Sequence, residues 1–232
     1  RSQPRLTIPG RNTTRGVVKP MTQFPEHLCD RYLRFKFRHF APNMDRYEEL
    51  ATHGQNPDVM VVSCCDSRVD PETIFSAMPG ELFVMRNVAN LVPPYETDGK
   101  FHGVSAALEF ALLNLRVKHV VVMGHAGCGG VKAALEQTAA KQTEALFISK
   151  WMSMLDDARL AVLAKHQSRT SAERLRALEL EAVKTSLKNL RTFPCIQVLE
   201  GKGKLALHGA YFDIATGTLS VLNQLSGEYY EL

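Results

Sequence analysis

The chain has 232 residues, 45% of them hydrophobic, which is enough for one α/β domain of ordinary size with its own core. Its net charge of +4 is local: Arg1, Arg5, Arg11, Arg15 and Lys19 stand in the first twenty residues with no acid, leaving 23 basic against 24 acidic residues elsewhere. That balance excludes the electrostatic footprint of a nucleic-acid binder, and no apolar stretch is long enough to span a bilayer. Five scattered cysteines, an odd number in a chain that needs no staples, point to a reducing compartment, the cytoplasm or an organelle interior.

Residues 1–20 read as a disordered tail: an expression remnant, a processed end or an Arg-rich transit-like peptide, with Met21 a candidate start. Residues 21–232 then read as a single domain. Met21–Arg38 and Met44–Thr52 form an N-terminal helical arm, separated where Pro42 discourages a continuous helix. The core alternates from there: strand 58–64, helix 71–77, strand 82–88, helix 102–115, strand 118–124 and helix 129–139. Continuous apolar strands between helices predict a mainly parallel central sheet of four strands with helices on both faces. Two longer helices follow at 144–165 and 171–191, the second with Leu180, Val183, Leu187 and Leu190 as its apolar stripe. Strands 204–213 and 218–223 close the chain through a hairpin at Ala215-Thr216-Gly217, so the last strand is an antiparallel edge.

Two of these strands run directly into chemistry. Cys64-Cys65-Asp66-Ser67-Arg68 follows the first, and Gly124-His125-Ala126-Gly127-Cys128-Gly129-Gly130 follows the third. If the strands are parallel neighbours, Cys64, His125 and Cys128 emerge at one end of the sheet. Two thiolates and an imidazole make a zinc site with one position open, the catalytic form of such a site. Alternation along an extended chain puts Cys64, Asp66 and Arg68 on one side and turns Cys65 away. A carboxylate there either fills the open position or accepts a hydrogen bond from bound water, and Arg68 can hold it off the ion by a two-pronged grip. The glycine-rich turn has neither a G-x-G-x-x-G order nor a Gly-Lys-Ser/Thr ending, which argues against a nucleotide site. The absence of C-x-x-C argues against a thioredoxin-like one.

With these residues in place the chain resembles the β-class carbonic anhydrases, and in particular their plant-like branch. Cys-x-Asp-Ser-Arg-Val at 64–69 and His-x-x-Cys-Gly-Gly-Val at 125–131 stand in that family's order and spacing. Gly80–Asn90, Ser105–Phe110 and His208–Asp213 also match, and the likeness runs from about 45 to 225. The resemblance implies one Zn2+ per subunit on Cys64, His125 and Cys128, with Asp66 and Arg68 as the catalytic dyad. It implies substrate contacts from Gln55, Phe83, Val88, Phe110 and Gly129, and a homodimer or homotetramer with the active site at the dimer interface. Phe110 stands where the plant-like pocket has a tyrosine. Val61 stands where the bicarbonate-regulated branch carries a tryptophan, so no such regulatory site is expected, although Arg86 matches another of its members. The implied reaction is reversible hydration of CO2 to bicarbonate and a proton, by zinc-bound hydroxide that the dyad orients. Two thiolates cancel the ion's charge and weaken it as a Lewis acid, so activity is expected to rise through mildly alkaline pH. Hydrolysis of carbonyl sulfide or carbon disulfide on the same site is the alternative enzyme, and a zinc-stabilised scaffold without turnover is the alternative outside enzymes.

Overall fold

A computed structural model of the chain describes residues 24–98, 102–136 and 146–232. The expected tail, residues 21–23 of the arm, residues 137–139 of the fifth expected helix and residues 144–145 of the sixth lie outside that description. The chain divides into two compact units, 1–48 and 49–232. In the first, α1 (Glu26–Phe35) runs through a π-helical turn at Lys36–Phe40 and a 3-10 turn at Ala41–Asn43 into α2 (Met44–His53), which continues into the second unit. Pro42 therefore does not interrupt the helical path. The looser and tighter turns absorb its missing N–H donor, so the chain stays helical. Phe35, Phe40 and Tyr47 pack together in tilted and edge-to-face contacts along this path, and α1 buries no side chain.

The second unit is built on a six-stranded sheet of order β2-β1-β3-β4-β5-β6, from β1 (Val59–Cys64), β2 (Leu82–Asn87), β3 (His119–His125), β4 (Ala206–Phe212), β5 (Leu219–Leu222) and β6 (Tyr229–Glu231). The first four are parallel and the last two antiparallel. The expected sheet is thus present with one strand more, because three residues are too few for β6 to show alternation. Between strands lie α3 (Pro71–Ile74), α4 (Gly103–Glu109, prolonged by a π-helical turn to Leu115), α5 (Gly129–Leu135), α6 (Leu146–Met152), α7 (Asp156–Lys165), α8 (Ser171–Leu190) and α9 (Pro194–Gly201). The helix expected over 144–165 is broken at Ser153–Leu155, and α9, opened by a proline at its first turn, was not foreseen. No described helix is long and apolar enough to cross a membrane.

One sheet face presents Met60, Val62, Val120, Val122 and Leu207 to α4, α8 and α9 in the main core, where Leu108, Leu187, Leu190 and Ile196 are buried. The other carries Val61, Met123 and Ala210 with Ile74 of α3. Helix α8 is fixed at its start by a reciprocal pair in which Thr170 accepts from the Glu173 amide and Glu173 accepts from the Thr170 amide. Its buried face is Leu178, Glu179, Ala182, Val183, Ser186, Leu187 and Leu190, so the stripe includes one carboxylate and leaves Leu180 only half-buried. The crossover from β1 leads to β2 on one side, and β3 returns to the other side of β1. That reversal opens a crevice at the carboxyl ends of β1 and β3, where open α/β sheets bind their ligands.

Candidate active site

Strands β1 and β3 end in this crevice, and each delivers a metal-ligand type. Cys64 is the last residue of β1, His125 the last of β3, and Cys128 caps the start of α5. All three are buried, and their ligand atoms lie within 4.8 Å of one another. The Cys64 and Cys128 sulfurs are 3.9 Å apart. That is far beyond a disulfide bond and close to the roughly 3.8 Å that two thiolates share on one tetrahedral zinc. His125 Nδ1 lies 3.0 Å from the Ala126 carbonyl, which can only accept, so Nδ1 holds the proton and Nε2 keeps its lone pair. Nε2 is buried with no hydrogen-bond partner. A buried, unpartnered donor atom facing two sulfurs fits a metal ion.

Electrostatics agree with the geometry. The hydrogen bond from Cys128 pulls Cys64 down to about 4 against its burial, and that shared proton together with burial pushes Cys128 up. Burial alone would lower His125, but the Cys64 sulfur, the Ala126 carbonyl and Asp66 outweigh it and leave the ring raised. The Cys64 sulfur is thus the anionic member of the group.

Asp66 stands at the rim, gripped by Arg68 through Nε to Oδ1 at 2.9 Å and Nη2 to Oδ2 at 2.7 Å, while the Arg68 amide also donates to Oδ1 at 3.0 Å. These bonds hold the carboxyl well below the usual carboxylate range. Arg68 Nη2 also donates to the Gly127 carbonyl at 3.0 Å, which ties the β1 loop to the β3 turn. Asp66 Oδ2 remains 4.0 Å from His125 Nε2. Asp66 and Arg68 therefore stand paired beside the Cys64–His125–Cys128 group.

Three features that sequence reasoning did not assign hold this arrangement. Arg86 on β2 donates to the carbonyls of Cys64 (2.8 Å), Asp66 (2.7 Å) and Val69 (2.9 Å) and reaches Asp70 at 3.4 Å. One partly buried guanidinium thus spans the whole loop that carries Cys64, Asp66 and Arg68. Glu179 of α8, 3% exposed, accepts from the Cys128 amide at 2.8 Å and from the Tyr211 hydroxyl at 2.7 Å. Its place four residues before Val183 on the apolar stripe was the available signal. The third feature is the turn after β2, where Ala89 and Asn90 are buried with φ of 64° and 50°. Left-handed geometry at two non-glycine residues persists only where neighbours enforce it. Here Asn87 brackets the turn by bonds to and from Leu91, Ser186 donates to the Asn90 carbonyl, and Trp151 donates to that of Val88. The turn presses Val88 against α5 so closely that a Cβ on Gly130 would lie 2.7 Å from Val88 Cγ1.

The expected substrate residues fall into two groups. Val88 follows the last residue of β2, and Gly129 is the first residue of α5, both at the ligand end. Phe83 and Phe110 pack together at 5.8 Å, but Phe83 pairs with Met60, four residues before Cys64, or about 13 Å along the strand. Gln55 is exposed before β1, and among the described residues no hydrogen bond joins it to the Cys64–His125–Cys128 group.

A buried Cys/His/Cys group able to hold a metal ion, with a clamped carboxylate beside it, lies at the carboxyl ends of the parallel strands. The carbonic anhydrase family model matches residues 59–219. Beta carbonic anhydrase 3 of Arabidopsis thaliana is 35% identical over 199 residues, covering 84% of this chain and 76% of that protein. Among solved structures, the β-carbonic anhydrase CcaA superposes with a TM-score of 0.83 at 30% identity, covering 89% and 91% of the two chains. One of two tetrameric β-carbonic anhydrases from Sordaria macrospora superposes with 0.68 at 30% identity, covering 85% and 92%. The chain belongs to the β-class carbonic anhydrase family.

Proposed function

We propose that this enzyme catalyses the reversible hydration of CO2 to bicarbonate and a proton with one zinc ion held by Cys64, His125 and Cys128. The convergence of those three buried donors, with His125 Nε2 left unpartnered, carries the reading. When bound, the ion supplies Lewis-acid activation of water. Asp66 offers a carboxylate oxygen that accepts the hydrogen of the attacking water species and aims its lone pair at carbon. Arg68 occupies both Asp66 oxygens, so the carboxylate stays at the rim instead of becoming a fourth ligand. Val88 and the backbone at Gly129 border the reacting carbon, where an uncharged, linear molecule needs only apolar contact and weak donors.

A second copy completes the site. In one chain Gln55, Phe83 and Phe110 stand toward the opposite ends of the strands from the ligand group. A two-fold contact that sets one copy's Phe83–Phe110 pair against the other's Cys64 end completes two sites at once, as an isologous interface requires. The tetrameric Sordaria relatives support assembly of this kind, as a dimer or as paired dimers. The cysteine usage supports a reducing compartment, the cytoplasm or an organelle interior.

The test is stopped-flow CO2 hydration on metal-analysed protein with a Cys128→Ser control, run beside sulfide release from carbonyl sulfide and carbon disulfide. Zinc-dependent hydration that the control abolishes is the expected result. Sulfide release without CO2 hydration, or full hydration by metal-free protein, would overturn the proposal.

A further inference from the structure

The amino-terminal ends of β3 and β4 border a second cavity of about 1120 Å³, walled by the end of the α4 path and by α9. The metal group lies at the other end of the same strand: His119 on this cavity and His125 at the site are six residues apart, or about 20 Å. Leu113, Val117 and Val198 give it apolar walls, and Leu113 and Val198 are 58% and 52% exposed. Arg116, Lys118 and Lys204 line it with them, and no acidic residue does. Lys118 is shared with Asp58 at 2.8 Å, whereas Arg116 and Lys204 have no ion-pair partner among the described residues. The floor is already built, since the Ala206 amide donates to the Lys118 carbonyl and that of Lys118 to Asp58.

We propose that this cavity binds an amphiphilic carboxylate, a fatty-acid-like anion. Its alkyl tail lies along Leu113, Val117 and Val198, and its carboxylate meets Arg116 and Lys204. A preformed apolar concavity with a few convergent polar groups of one sign selects such a ligand. A guanidinium matches the carboxylate fork, and an unpaired cation loses no partner on binding. The charge also separates this ligand from two other occupants. The first twenty residues of the chain hold five cations and no acid, so this rim repels them. A second copy seated with its two-fold axis through the cavity would set the same three cations against themselves.

Calorimetric titration of decanoate into the zinc-loaded full chain tests the proposal. One decanoate binds per chain, and affinity rises about tenfold from octanoate to decanoate for the two added methylenes. The double variant Arg116→Glu/Lys204→Glu binds about tenfold more weakly, as loss of a charge-assisted pair requires. Decyltrimethylammonium shows the reverse preference. CO2 hydration by the double variant stays at the wild-type rate and serves as the check on folding. Bound decanoate also slows alkylation of Cys195, on the cavity wall, while Cys29 and Cys65 react as before. Absence of binding, equal affinity for the charge-reversed variant, or binding without protection of Cys195 overturns the assignment. So does a change of oligomeric state in the double variant, which would give the cavity to a subunit contact.

Discussion

Replacing Arg86 by methionine removes a guanidinium that ties together the loop from Cys64 to Asp70. The apolar stem is kept in shape, and three hydrogen bonds from a cation to main-chain carbonyls are lost. Each such bond is worth about 1.5–3 kcal/mol when intact. The side chain is 29% exposed, so water replaces part of what is removed. The 3.4 Å pair with the 40%-exposed Asp70 adds little. The net expectation for Arg86→Met is a loss of about 3–4 kcal/mol. Urea unfolding at fixed protein and zinc concentration measures it, since metal and subunit binding both shift apparent stability. Hydration activity falls with it, because Asp66 and Cys64 lose their backbone anchors. Arg86→Lys recovers about half, since an ammonium on a flexible stem reaches one or two of the three carbonyls. A methionine variant within about 1 kcal/mol of wild type, with an undiminished hydration rate, would refute the clamp.

Four further outcomes follow from the same geometry. Glu179→Ala strands the Cys128 amide and the Tyr211 hydroxyl and costs about 2–4 kcal/mol in urea unfolding, whereas Glu179→Gln, whose amide oxygen still accepts from Cys128, costs less. Equal losses in the two variants would assign the effect to volume alone. Gly124→Ala places a Cβ 2.8 Å from Val183 Cγ2 and destabilises by about 1–3 kcal/mol, relieved when Val183→Ala is added. Simple additivity in that double-mutant cycle would remove the clash. Arg68→Ala frees Asp66 to approach the metal, so zinc content holds while CO2 hydration collapses, and near-normal turnover would end the argument that Arg68 restrains it. Asp66 titrates below its ordinary 3.8 in the folded chain, so its pairing contributes fully above that pH and is lost as pH falls toward the folded value. Asp66→Asn therefore flattens the acid limb of stability below about pH 4, and identical limbs in the two proteins would contradict the shift.

The sheet and the metal group were legible because the same residues encode both. Val59–Cys64 and His119–His125 are apolar runs, each ending on a residue type that can bind a metal, so reading them as buried parallel strands also placed Cys64, His125 and Cys128 together. The less visible features lack periodicity or depend on distant partners. Pro42 predicts a break, yet helix geometry bends through it by changing its hydrogen-bond span. β6 pairs over only three residues, and α9 is a short helix after a proline that reads equally as a loop. Glu179 sits on a stripe that reads as apolar, and only the structure shows its two donors. Nor does a linear sequence disclose that Phe83 and Phe110 lie a strand's length from Cys64, because motif order carries no register.

Strand β2 intervenes in the chain between the two strands that meet at the crevice. The first thiol therefore meets the other two donors only where the crossover is made and the third strand lies beside the first. Before that docking an isolated cysteine has little hold on a cation, and afterwards three donors arrive together. A cation that needs all three donors would find them only in a chain whose first and third strands are already paired, whatever the state of β4, β5 and β6.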